Sequence, residues 1–394
     1  MMSAVLSNPS HPKYGVATIP FPIPRDQYAH CMELLEALEI GDAVKADCKV
    51  EEIDSFFSVL KRTEMLTVNV EELNYLAKRL DSFDTGEAAQ FQAMAHKLEL
   101  FELKDLINLT FCCQQATVIT DFSDLAAVGR DHYMNLHGGC AKTEELDALD
   151  GKETARQFIE SGSGTITPYG VVYDNGMKLE QVYDGRVFPC YYYEPNVITV
   201  AVTSKAEPED TEHITWLYLP MIQEEIDRAL LRGGITDPSE IRLSLEDSWL
   251  PHEVLDLLDM NHVDISELNA LVQALDEFSD MSIRKYAAAA VMARPHTTEQ
   301  AKHLAENLDL FDFAPSASTP EEYGKYMIQK SGRFDYDENL DAFYDYEKYG
   351  TERMNAEDGM FTDRGYIAYK GYISMEEVMN GGQSNHMVMG GLSQ

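Results

Sequence analysis

Residues 70–84 read VEELNYLAKRLDSFD, and residues 265–279 read ISELNALVQALDEFS. Both carry Glu-Leu-Asn, leucines at helical spacing and a closing Leu-Asp-x-Phe. The offset of about 195 residues relates further stretches in the same order. Phe21-Pro22 precedes PRDQYAHCMELLEAL, and Leu219-Pro220 precedes MIQEEIDRALL. DHYM at 131–134 matches GKYM at 324–327, and ELDAL at 145–149 matches NLDAF at 339–343. TPYGVVY at 167–173 parallels TDRGYIAY at 362–369. An ordered set of this kind is the mark of an internal repeat. The chain therefore reads as two tandem copies, about 1–193 and 194–375.

Each copy divides into three sections, and the fold class is α+β. The first section, 1–62 and 194–250, is a small β-containing unit around one helix. In the second copy its strands are expected at 197–203, 214–219 and 240–245, with a helix at 222–231. The middle section, 63–122 and 251–315, is helical. Leu73, Leu76 and Leu80 recur at helical spacing, and 88–98 and 103–109 follow the same rule. The third section, 123–193 and 316–379, mixes helices with a terminal hairpin. In the first copy, 169–173 and 177–182 flank Asp174-Asn175-Gly176, a strong hairpin turn. In the second, 359–362 and 366–369 flank Asp363-Arg364-Gly365. The Gly-rich tail, 380–394, is expected to be disordered.

Charge restricts the partners. The chain of 394 residues holds 68 Asp and Glu against 31 Lys and Arg, a formal net charge of −37. Both halves share it: 31 acids against 16 bases in 1–200, and 37 against 15 in 201–394. Such a chain is repelled by nucleic acid and anionic membranes and attracted to basic grooves. Duplex DNA carries one charge per roughly 1.7 Å of axis, so the net charge equals that of roughly 60 Å of duplex. A hydrophobic content of 44% is that of a folding chain.

Cys31, Cys48, Cys112, Cys113, Cys140 and Cys190 form no C-x-x-C pair. Reduced thiols are expected in a chain this large. With no signal-like N-terminus and no run of eighteen apolar residues, a cytoplasmic protein is expected.

Several sites fail on chemistry. Asp335-Tyr-Asp337-Glu-Asn339 begins like a calcium loop, but Leu340 replaces the turn glycine and Tyr346 the closing glutamate. His132, His137 and Cys140 suggest zinc but lack a fourth ligand. Gly162-Ser163-Gly164 has no lysine for a phosphate cradle. Cys112-Cys113 sits in the apolar run LTFCC and reads as core. No catalytic residue, cofactor or metal site is expected.

The most specific string is FYDYEKYGTERM at 343–354, followed by DGMF at 358–361 and the aromatic strand at 366–369. It resembles the C-terminal signature of the ArdA antirestriction family. EEYGKYMIQKSGRF at 321–334 resembles that family's preceding helix, and 215–220 with the helix after it resembles its N-terminal section. The likeness covers roughly 197–371; in the first copy the corresponding run, DALDGKETARQF at 147–158, is eroded.

The resemblance implies an elongated, non-catalytic protein that imitates bent DNA. It would occupy the DNA groove of a type I restriction–modification enzyme, on its methyltransferase core, or of another DNA-binding enzyme. It also implies dimerisation. A usual member is about half this length, so two arrangements are open: an intramolecular pseudo-dimer, or a longer rod that forms a homodimer. The surface expected to imitate phosphates is the dense stretch Asp335, Asp337, Glu338, Asp341, Asp345 and Glu347, with Glu352, Glu357, Asp358 and Asp363. Helix-borne acids add Glu224, Glu225, Asp227, Asp276, Glu277, Asp280, Glu321 and Glu322. For any one of them an ordinary solvated helix face is the simpler account. Two competing functions use the same acids. One is inhibition of a CRISPR nuclease or nucleoid protein by the same mimicry. The other is a metal-dependent hydrolase, which would need carboxylates gathered in a cleft.

Overall fold

A computed structural model describes residues 2–162, 164–191, 193–206 and 213–382. Ser163 and residues 383–394, most of the expected tail, lie outside the described residues. The chain divides into two compact units, Met1–Tyr193 with Arg228–Gly234, and Glu194–Asp227 with Ile235–Gln394. Helices and antiparallel sheets are mixed in both, the α+β class read from the sequence.

The first unit opens with β1 (Met2–Ser7), β2 (Val16–Phe21), helix α1 (Tyr28–Ala37), β3 (Cys48–Ser55) and the two-residue β4 (Thr67–Val68). The sheet order is β2-β1-β3-β4, all antiparallel. Alternation places Ala4, Leu6, Ile19, Phe21 and Val50 in the core, and a register shift between β1 and β3 brings Ile53 in with them. Three helices follow: α2 (Val70–Asp81), α3 (Thr85–Lys97) and α4 (Leu103–Leu109). Asn69 caps α2 by accepting from the N–H groups of Glu71 and Glu72. Asp84 and Glu87 form a reciprocal capping box on α3. Leu73, Leu76 and Leu80 are all buried, as their spacing requires.

The third section holds β5 (Thr117–Ile119), α5 (Leu125–Leu136), α6 (Thr143–Ala148), α7 (Gly151–Ser161), β6 (Thr165–Thr167) and β7 (Gly170–Tyr173). Here one expectation fails. Residues 177–182 form no strand, and the hairpin is instead β6–β7. The reason is edge occupancy: β7 already pairs with β5 on one side and β6 on the other. The Asp174-Asn175-Gly176 turn does form. Its side chains bond elsewhere, Asp174 to Lys97 at 2.6 Å and Asn175 to Gln115 O and Thr117 Oγ1. The chain therefore leaves the sheet.

Within the first unit, Arg232 is buried. Its guanidinium donates to Ala43 O, Asn69 Oδ1 and the Tyr183 hydroxyl, and lies 4.3 Å from the Phe188 ring centre. Tyr183 in turn donates to Glu72 at 2.8 Å.

The second unit repeats the plan. It begins with β8 (Ile198–Ser204), β9 (Thr215–Leu219), the start of α8 (Gln223–Arg232), whose residues from Arg228 on belong to the first unit, and β10 (Ile241–Ser248), with the strands in the order β10-β8-β9. The first strand is again central. Met2 pairs with Phe21 and Ser55, and Ile198 with Leu219 and Ser248. The middle section holds α9 (His252–Leu255), α10 (Ile265–Asp276), α11 (Asp280–Ala293) and α12 (Thr298–Glu306). The last comprises β11 (Phe311–Pro315), α13 (Pro320–Gln329), α14 (Tyr346–Ala356), β12 (Gly359–Thr362), β13 (Gly365–Tyr369) and α15 (Met375–Met379). The sheet order β11-β13-β12 mirrors β5-β7-β6. In both units the first of these strands precedes the section boundary drawn at 123 or 316. Asn380, Gly381 and Gly382 close the last helix with backbone bonds to Glu376, Val378 and Glu377.

A shared device ties sheet to helix. The Phe21–Pro22 and Leu219–Pro220 bonds are both cis. The next N–H, of Ile23 or Met221, donates to Asn74 Oδ1 or Asn269 Oδ1, at 2.8 Å in each case. These are the asparagines of the Glu-Leu-Asn repeat. Asn269 also donates to Met221 O at 2.8 Å. Replacing Asn269 by Ala strands a donor and an acceptor and is expected to cost about 1–3 kcal/mol. Trp216 and Trp249, the chain's two tryptophans, both lie in the second unit and report its urea unfolding. An unchanged midpoint would contradict this.

A second tie lies wholly in the second unit. Arg364, in the β12–β13 turn, donates through Nε and Nη2 to the two carboxylate oxygens of Glu253 at 2.7 and 2.9 Å. The Glu253 side chain is 10% exposed. Arg364 holds this carboxyl below its ordinary value of 4.5. A depressed folded value means the contribution is complete above the unfolded value and is lost as pH falls through the folded one. At pH 7, Glu253→Gln is expected to lower stability by about 1–2 kcal/mol. The difference from wild type should shrink as pH falls below 4.5 and vanish once the folded Glu253 carboxyl is protonated. A pH-independent difference would refute the assignment.

Candidate functional site

The acids singled out in the sequence fall on the second unit, and their local chemistry separates them. Asp335, Asp337 and Glu338 are exposed, at and before a 3-10 turn, Glu338–Phe343, whose N-cap is Asp337. Asp345 and Glu347 are exposed at the start of α14, where Asp345 accepts from Lys348 N at 3.0 Å. Glu352, Asp358 and Asp363 are exposed on α14 and around β12. Glu321 and Glu322 occupy the first turn of α13, and Asp280 that of α11. Asp276 and Glu277 end α10, exposed. On α8, Glu224 and Asp227 are exposed and Glu225 is half-buried, accepting from Ile222 N.

Many of these carboxylates sit at helix N-termini, where they offset the helix dipole and accept backbone N–H groups. Ser318, through its hydroxyl and N–H, holds the Glu322 carboxyl below its ordinary range. Capping uses the inward oxygen and leaves the charge facing water. One residue can thus serve helix and surface together.

Two of the acids, Asp341 of the dense stretch and Glu357 beyond it, have turned inward. Asp341 Oδ1 accepts from Tyr346 at 2.5 Å, Tyr336 at 2.7 Å and Gln329 at 2.9 Å. The two phenols, Tyr346 first, hold its carboxyl below the usual range. Glu357 accepts from Tyr323 at 2.6 Å and pairs with Arg353. Both organise the aromatic layer beneath the surface, where Tyr323 meets Tyr366 at a tilt of 35° with centroids 4.1 Å apart. The sequence could not distinguish them from their neighbours, because their partners lie on other elements.

Several of the unit's cations are engaged within it. Arg333 and Lys370 both bond Asp312, Arg353 bonds Glu357, and Arg364 bonds Glu253. Among the described residues, no three His, Cys, Asp or Glu side chains converge as a metal ion would require. His132, His137 and Cys140 do not gather. His132 is buried, bonded to Thr117 Oγ1 at 3.0 Å and stacked on Phe158, whereas His137 and Cys140 are exposed. Burial pushes the His132 value down. Cys112 and Cys113 are buried and unbridged.

A helix-centred reading of the sequence missed acids on strands. Glu52 and Asp54 on β3, and Glu246 and Asp247 on β10, are exposed beside buried Ile53 and Leu243. Period-two alternation was the signal for Glu52 and Asp54; Glu246 and Asp247 are adjacent and both exposed where the register shifts between Leu245 and Asp247.

Residues 211–368 match the family model described as antirestriction protein (ArdA). This segment is an ArdA antirestriction domain. No curated protein matches the chain. The ArdA match runs from just before β9 to within β13, so it contains every one of the eighteen acids singled out above. Among the described residues, no helix is long and apolar enough to cross a membrane.

Proposed function

We propose that the protein is a DNA mimic that occupies the DNA-binding groove of a type I restriction–modification enzyme in the cytoplasm and so blocks modification and restriction. The observation that carries this is the exposed acid array of the ArdA domain, above all Asp335, Asp337, Glu338, Asp345 and Glu347. Enzymes that act on DNA draw much of their affinity from Lys and Arg that neutralise phosphates. Those contacts position the duplex without reading its sequence. Carboxylates fixed by caps compete for the same cations and lose little side-chain freedom on binding. Five cations of the second unit support the reading, since Lys302, Arg333, Arg353, Arg364 and Lys370 bond Glu306, Asp312, Glu357 and Glu253 rather than these five acids.

We further infer that the two units are diverged copies. Support comes from the matching first-strand-central sheets, the paired Asn74 and Asn269 bonds, and the parallel β5-β7-β6 and β11-β13-β12 orders.

The test is to add the full chain to a type I enzyme acting on unmodified duplex. Occupying the groove stops methylation and cleavage together, at the same inhibitor concentration. Loss of cleavage with methylation intact would reject groove occupancy and point to the translocating or nuclease parts of the enzyme.

A further inference from the structure

The 3-10 turn Glu338–Phe343 carries apolar side chains in the middle of the acid array. Leu340 is 48% exposed and Phe343 is 83% exposed. Side chains three apart eclipse in a 3-10 helix, so these two lie in one row. Asp341 and Tyr344, also three apart, anchor the turn from beneath. Asp341 accepts from Gln329, Tyr336 and Tyr346. The half-buried Tyr344 ring lies against those of Tyr336 and Tyr346, with centroids 5.9 and 5.8 Å apart. Asp337 closes the start of the turn, its O accepting from Leu340 N at 3.0 Å and its Oδ1 from Asn339 N at 2.9 Å. The inward positions thus go to Asp341 and Tyr344, and Leu340 and Phe343 form a ridge in solvent. Single exposed apolar residues are ordinary, whereas a ridge held outward by two anchors marks a contact surface.

Charge selects what covers it. Asp337 and Glu338 precede the ridge and Asp345 and Glu347 follow it, all exposed. A 3-10 helix rises only about 2 Å per residue, so these carboxylates act on anything that meets the ring. A second copy of the chain would bring like charges together, at a cost, whereas a partner with cations around the contact is favoured. A groove that reads DNA combines cations for the phosphates with apolar side chains that meet base edges such as the thymine methyl. We infer that the Leu340–Phe343 ridge enters an apolar recess between the phosphate-binding cations of the type I enzyme's DNA groove. This rests on the groove-occupancy reading and deepens it: the carboxylates stand in for phosphates, and the ridge for the apolar edge of the bases.

The full chain and its variants are titrated against a type I methyltransferase core bound to labelled duplex, at several salt concentrations. Phe343→Ala is expected to weaken displacement about 10-fold or more, as loss of a buried aromatic anchor does. Its salt dependence should match that of wild type, because no charge is lost. Phe343→Leu keeps apolar bulk and should stay within about 3-fold of wild type. Phe343→Glu separates ridge from array. An added carboxylate would strengthen binding if charge alone acted, whereas a charge forced into an apolar recess weakens it by about 100-fold. Tyr372, 95% exposed after β13, is the control, and Tyr372→Ala should leave displacement unchanged. Sedimentation of wild type and Phe343→Glu accompanies the titration. Unchanged displacement by Phe343→Ala, a gain in Phe343→Glu, or an equal loss in Tyr372→Ala overturns the inference. So does self-association lost in Phe343→Glu, which would give the ridge to a second copy. A wild-type chain that leaves the duplex bound sinks groove occupancy and this inference together. A wild-type chain that displaces the duplex, with Phe343→Ala equally effective, sinks this inference alone.

Discussion

Replacing Asp335, Asp337, Glu338, Asp345 and Glu347 together by Asn or Gln is expected to weaken inhibition of a type I enzyme by about 30- to 100-fold. Individual exposed ion pairs contribute about 0.2–1 kcal/mol. Five such charges sum to about 2–3 kcal/mol, whereas any single replacement changes affinity by less than about 5-fold. The gradation itself is diagnostic: a catalytic cluster would fail with its first lost carboxylate. Asn at 337 and 345 retains both caps, so folding is preserved. Asp341 and Glu357 are left out because they bond Tyr336, Tyr346, Gln329, Tyr323 and Arg353 beneath the surface. The measurement is an inhibition titration of single and combined variants. An effect confined to one residue, or no effect of all five, would contradict mimicry by a spread array.

The second large effect is on stability. α13 and α14 approach so closely that a Cβ on Gly350 would lie 1.8 Å from Pro320 O, and one on Gly324 2.0 Å from Tyr346 O. Both obstacles are backbone atoms and cannot rotate away. Gly350→Ala is expected to cost about 3 kcal/mol or more, at the upper end of overpacking, because the helices must separate. Gly332 is the control. Its φ is +69° and a Cβ added there would meet nothing within 4 Å, so Gly332→Ala incurs only backbone strain, about 1 kcal/mol. Tryptophan fluorescence during urea unfolding compares the two variants, and equal losses would refute the helix contact as the cause. In the first unit Gly129 and Gly151 hold the same relation between α5 and α7, with a Cβ on Gly129 falling 1.8 Å from Gly151 O.

The parts of this fold that local pattern dictates were legible. The leucine spacing of 70–84 produced α2, and the Asp363-Arg364-Gly365 turn joined β12 to β13. What was illegible depended on residues distant in sequence. The Asp174-Asn175-Gly176 turn announced a hairpin, but β5 had taken the edge of β7 that a strand at 177–182 needed. The Glu-Leu-Asn repeat was visible as a string. Why asparagine belongs there became clear only when Asn74 and Asn269 met backbone 51 and 48 residues away. The acids show the same division. Their abundance and placement on helices could be read directly, but Asp341 turned inward because Gln329, Tyr336 and Tyr346 surround it.

Whether the chain stands in for DNA is decided by displacement of labelled duplex from a type I methyltransferase core. Complete release of the DNA is expected as the full chain saturates the enzyme, with a displacing affinity that falls as salt is raised. Undiminished DNA occupancy at saturating chain, or a stable ternary complex of enzyme, duplex and chain, would show that the two do not share a groove.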